Sequence, residues 1–188
     1  MICFAENLPA LQVGRQQVVG YKTDWIEESL NRAATACGRT DCPFLNDIRN
    51  GIQHFLEKRC SLKVLPIEDL YERMRGMLRK IGCHEIAAHL TPLAPPVAVS
   101  LIGPARKAGN GYELVFFQLL KDEIELLHDS GAESIRFCDI DESVKLLRSS
   151  DTTGEPGRQL KIEITTFLES YHRQIPAPHR ELHLTLDP

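Results

Sequence analysis

"PIEDLYERMRGMLRKIG", residues 66–82, is the stretch on which the fold reading turns. Ile67, Leu70, Tyr71, Met74, Met77, Leu78 and Ile81 recur at steps of three and four, which puts them on one face of an α-helix. Pro66 suits the opening of that helix. Glu68 and Asp69 at its start and Arg79 and Lys80 at its end complement the helix dipole. Gly82 then stops it. A helix with one apolar stripe needs neighbours to bury it.

The preceding segments supply them. "KTDWIEESLNRAATACG", residues 22–38, reads as a helix, with Asp24 as cap, Glu27 completing a capping box and Gly38 as terminator. Its apolar face is Ile26, Leu30, Ala33, Ala34 and Cys37, and Tyr21 and Trp25 pack as a staple at its start. "DCPFLNDIRNGIQHFLEKRC", residues 41–60, predicts a second helix that starts at Asp41 and Pro43 and buries Leu45, Ile48, Ile52, Phe55 and Leu56. Gly51 lies inside it and weakens it by roughly 1 kcal/mol relative to Ala. "LKVL" reads as a short extended link. "ALQVG" and "QQVVGY", residues 10–14 and 16–21, are β-like runs about a turn at 14–16.

Past residue 90 the pattern changes. "TPLAPP" has three prolines and no period, so it reads as a linker, with domains at 1–92 and 97–188. "VAVSLI" predicts a short buried strand, "GPARKAGNG" a loop, residues 112–131 a long helix, "SIRFC" a strand and "IDESVKLLRSS" a helix. "DTTGEPG" is expected as a flexible loop. "RQLKIEITTFLESYH" aligns Leu160, Ile164, Phe167, Leu168 and Tyr171 as a helix does, and "ELHLTL" alternates Leu182, Leu184 and Leu186 as a half-buried strand does. Strand, helix, strand in this order predicts parallel crossovers. The fold class expected is α/β (α+β): an N-terminal β-hairpin with a helical bundle, then a small α/β domain with short strands.

A hydrophobic share of 43% and a charged share of 26% are those of an ordinary globular chain. A net charge of −4 gives no overall field for nucleic acid or anionic membrane. No apolar run reaches the roughly 20 residues of a membrane span. Six cysteines without any C-x-x-C argue against a zinc ribbon and for a reduced, cytoplasmic protein.

Three stretches carry candidate chemistry. "HEIAAH", residues 84–89, sits near the zincin motif, but His84 and His89 are five positions apart and diverge around a regular helix. Read plainly, it is a short helix that buries Ile86, Ala87 and Ala88 and exposes both histidines. "HLT" occurs at residues 89–91 and again at 183–185. Paired H-x-[ST] motifs are those of two-histidine phosphoesterases, with His89 and His183 as acid and base. "GPARKAGNG" stands between strand and helix, where backbone N–H groups hold phosphate; Gly109 and Gly111 would allow close approach and Arg106 and Lys107 supply charge. The acidic groups at 122–125 and 139–142 read as solvated faces and helix-start charges.

Tyr21 and "WIEESLNRAA", followed by "IRNGIQHFL", "LPIEDLYERMRGMLRKIG" and "HEIAAHL", make residues 11 to about 91 resemble an ATP-cone. This is the small nucleotide-binding regulatory module of ribonucleotide reductases and of their transcriptional repressor. The resemblance implies a β-hairpin over a helical bundle, with ATP or another adenine nucleotide beneath the hairpin and against the first helices. The family's hairpin carries a Lys-Arg pair; here "VGRQ" has Arg15 alone, and Trp25 stands where a Lys is common, with Lys22 close by. Arg15 and Lys22 are then the ligand's cations, and weak binding is expected. The function expected is non-catalytic: nucleotide sensing or protein interaction, with a nucleotide and a protein or a second copy as partners, and neither membrane nor nucleic acid. A phosphoesterase or a purely structural protein is the alternative.

Overall fold

The predicted stripe at 66–82 folds as helix α3, Ile67–Lys80, which buries Ile67, Leu70, Tyr71, Met74 and Leu78. Met77 and Ile81, at the edge of the stripe, are half-buried and exposed. Gly82 adopts φ 85; its N–H donates to Arg79 O (3.1 Å) and the Cys83 N–H to Leu78 O (2.8 Å). That pair of bonds satisfies the last carbonyls of the helix and requires a left-handed residue. Gly38 ends helix α1, Asp24–Ala36, with the same two bonds.

A computed structural model of the chain describes residues 8–39, 42–148, 154–174 and 183–186. The expected cap at Asp41, residues 151–153 of the expected loop and Leu182 lie outside them. The chain divides into two compact units, Met1–Pro95 and Pro96–Pro188. The fold is mixed α/β, with helices predominating and short strands in two small sheets. Among the described residues no helix is long and apolar enough to cross a membrane.

In the first unit, β1 (Ala10–Val13) and β2 (Gln16–Val18) form an antiparallel hairpin about Gly14 and Arg15. The expected link at residues 62–65 becomes strand β3, Val64–Pro66, parallel to β1, so the sheet order is β2-β1-β3. Leu11, Val13 and Leu65 from this sheet are fully buried. Helix α2 (Leu45–Lys58) buries Leu45, Ile48, Ile52 and Leu56, and the short α4 (His84–His89) buries Ile86 and Ala87. Ala88, expected inside, is exposed. The capping box is also absent. Thr23 is the N-cap of α1, without a side-chain cap bond, and Glu27 instead accepts from the Arg49 guanidinium at 2.5 Å. A charge-assisted bond of that kind outweighs a neutral cap.

In the second unit, β4 (Val97–Ser100), β5 (Ser134–Cys138) and β6 (His183–Leu186) form a parallel sheet in that order. Helices α5 (Ile102–Ala108) and α6 (Glu113–Asp129) connect the first pair; α7 (Ile140–Arg148) and α8 (Glu155–Gln174) lie between β5 and β6. The strands alternate. Val97, Val99, Ile135 and Phe137 are buried, while Ala98, Ser100 and Arg136 are exposed. "VAVS", expected as a short buried strand, is therefore buried at alternate residues only. Phe167 on α8 stacks on Tyr171 and packs against Phe117 of α6, as the predicted face requires.

Candidate functional site

Arg15 occupies the hairpin turn and is exposed; Lys22 is exposed two residues before α1. Between them Tyr21 is buried, and its hydroxyl donates to Pro9 O at 2.9 Å. This bond ties the entry to β1 to the entry to α1. Burial pushes the Tyr21 hydroxyl above its ordinary range, with Cys60 nearby adding to the shift, so it remains a donor. Trp25 follows in the first turn of α1, 7% exposed, with Tyr21 edge-on at 6.3 Å and Tyr71 at the same centroid distance. The Tyr71 hydroxyl is satisfied twice: it donates to Leu93 O (3.0 Å) and accepts from Leu93 N–H (2.9 Å).

One donor in this aromatic cluster is unspent. The Trp25 indole N–H is buried and has no acceptor among the described residues. Leaving such a group unpaired costs about 1–3 kcal/mol. An acceptor atom brought by a ligand would remove that cost. Sequence reading placed Trp25 at a family lysine position and as a staple, and missed this vacant hydrogen bond because burial is not visible in a single chain position.

The glycine stretch differs from expectation. Residues 102–108 are helical rather than a loop, and Arg106 and Lys107 stand exposed in the last turn of α5, at its negative end. Gly109 and Gly111 both have positive φ, but their N–H groups are already bonded, to Ala105 O (3.0 Å) and Leu147 O (2.9 Å). No free amide remains at those two glycines to cradle a phosphate.

The two "HLT" copies fall in different surroundings. His183 opens β6, whereas His89 is the last residue of helix α4. The ring of His89 donates from Nδ1 to Glu85 O at 3.0 Å, and the same nitrogen lies 3.3 Å from Cys37 Sγ. Cys37 in turn donates to Ala33 O at 3.0 Å. Burial holds the Cys37 thiol up, and the Glu85 charge adds to it against the opposing Arg39, so the thiol stays protonated. The contact joins the end of α1 to α4 rather than making a nucleophile. Among the described residues no three His, Cys, Asp or Glu side chains gather as a metal site.

The acidic groups were not uniformly solvated. Glu123 is only 7% exposed, whereas Glu125 is exposed as expected and accepts from the Tyr171 hydroxyl at 2.6 Å. Asp139 follows β5 with φ 64, and its carboxylate accepts from Ser100 Oγ, at the end of β4, at 2.5 Å. Carboxyl ends of parallel strands are where open α/β sheets bind ligands. Neither residue has a histidine partner among the described residues. Asp141 and Glu142 do sit exposed in the first turn of α7, as expected.

No family model, curated protein or solved structure matches this chain.

Proposed function

We propose that this is a non-catalytic regulatory protein whose first unit senses an adenine nucleotide. The nucleotide sits at the hairpin and the start of α1, and the second unit serves interaction. The observation that carries the reading is the buried Trp25 indole N–H, which has no acceptor among the described residues, three positions after Lys22 and with its ring 6.3 Å from that of Tyr71. The order hairpin, α1, α2, α3, α4 supports it as well, since this is the order that the ATP-cone resemblance implies. Reaching the Trp25 N–H requires the side chains that cover it to move on binding, and Arg15 and Lys22 supply charge for phosphate. Arg15 alone stands for the family's two hairpin cations, and one charge-assisted contact is worth about 1.5–3 kcal/mol. Binding is accordingly about ten- to a hundredfold weaker than with both.

A thermal-shift comparison of adenine nucleotides tests this. A small stabilisation by millimolar ATP is expected, lost in Arg15→Ala and reduced in Lys22→Ala. The same stabilisation persisting in Arg15→Ala, and vanishing in Arg106→Ala/Lys107→Ala, would move the anion site to the second unit. The two-histidine phosphoesterase reading has no comparable observation behind it, because His89 ends a helix and its Nδ1 is engaged.

A further inference from the structure

A groove of about 460 Å³ runs between α2 and the end of α3, apart from the residues of the nucleotide reading. Phe44, Ile48, Met77 and Ile81 give it apolar walls, and Asp47 is the one charged residue that lines it. Asp47 is exposed and makes no hydrogen bond or ion pair among the described residues. The groove is open, so a small molecule in it would keep much of its surface in water, unlike a ligand in a closed pocket. Protein side chains entering from another surface suit it better.

Gly51 is the informative residue. It lies inside α2, where glycine is unfavourable, and a Cβ added there would meet no atom within 4 Å. Packing within the unit does not require it. Its missing side chain leaves the floor of the groove clear for an incoming one.

The chain carries a surface of complementary chemistry. In the first turn of α6, Leu114 is 86% exposed and Val115 45%, and Tyr112, the residue before the helix, is 63% exposed. Arg106 and Lys107, in the last turn of α5 just upstream, are exposed and make no ion pair among the described residues. Apolar anchors beside unpaired cations complement an apolar groove beside an unpaired carboxylate. We infer that the chain self-associates: the first turn of α6 in one copy enters the α2–α3 groove of a second, with Asp47 opposite the Arg106–Lys107 pair. The two faces differ, so the contact is between unlike surfaces. It does not depend on the nucleotide.

Sedimentation of the full chain from about 1 µM to about 500 µM, the range of weak specific contacts, tests it. Concentration-dependent association is expected. Leu114→Asp and Gly51→Leu should each weaken it by on the order of a hundredfold, the worth of one buried leucine anchor. Both sites are open, so neither variant should melt below the parent. The decisive arm mixes the two variants. Leu114→Asp keeps an intact groove and Gly51→Leu an intact α6 turn, so the mixture should associate where each alone does not. A chain that stays monomeric at every concentration would overturn the inference. So would association that Gly51→Leu leaves untouched, or two variants that remain apart when mixed.

Discussion

Replacing Trp25 by Phe separates a packing role from a binding role. Trp25 is 7% exposed, so removing its second ring opens a cavity and costs about 1–2 kcal/mol. The same change deletes a buried N–H that has no acceptor among the described residues, which returns about 1–3 kcal/mol. The two effects nearly cancel. Since 1 kcal/mol moves the melting temperature of a domain of this size by about 4–8 °C, the ligand-free variant should melt within about 5 °C of the parent. In ATP the outcome differs. Losing a hydrogen bond to a charged acceptor weakens binding by about ten- to a hundredfold, so the rise in melting temperature caused by millimolar ATP should disappear. Far-UV circular dichroism melts of both proteins, with and without ATP, measure this. A ligand-free loss above about 3 kcal/mol would show that the indole N–H is bonded within the fold. Equal ATP-dependent shifts in both proteins would remove Trp25 from the site.

Tyr71→Phe should do the opposite in the absence of ligand, because it strands both the N–H and the carbonyl of Leu93 in a buried setting. A loss of about 2–3 kcal/mol, read as an earlier midpoint in urea at unchanged slope, is expected. Gly82→Ala should cost about 1–2 kcal/mol, since residue 82 holds φ 85 and open space around it offers no compensating contact; an unchanged melting temperature would contradict the terminator role. Purified protein should carry no stoichiometric zinc by elemental analysis. A one-to-one signal lost in both Cys37→Ala and His89→Ala would show that their 3.3 Å contact is half of a metal site.

Helix periodicity was legible because it is local. The stripe of α3, its glycine stop and the face of α8 follow from spacing alone, and so does the alternation in β6 at Leu184 and Leu186. Residues 103–108 were misread because the glycine and proline among them look like a loop, whereas 109–111 do leave the helix. Pro104 falls in the first turn of α5, where a backbone N–H has no helical acceptor to lose. The strand at 64–66 was read as a link because pairing with β1 is a non-local event. Candidate-site features that join distant residues were out of reach for the same reason. Cys37 and His89, Ser100 and Asp139, and Tyr71 and Leu93 meet only in the folded chain. The Glu27 capping box failed because Arg49, from another helix, competes for its carboxylate. Arg15 and Lys22 were proposed as the ligand's cations by resemblance, whereas the Trp25 donor, vacant among the described residues, needed the fold.

The chain has a single tryptophan, so its own fluorescence reports on the proposed site without a label. Titrating ATP into the protein should change Trp25 emission along a saturable curve with a midpoint between about 100 µM and a few millimolar, and Arg15→Ala should move that midpoint up by about tenfold or more. Emission that is flat to millimolar ATP, or that changes identically in Arg15→Ala, would contradict a nucleotide site at the hairpin and the first helix.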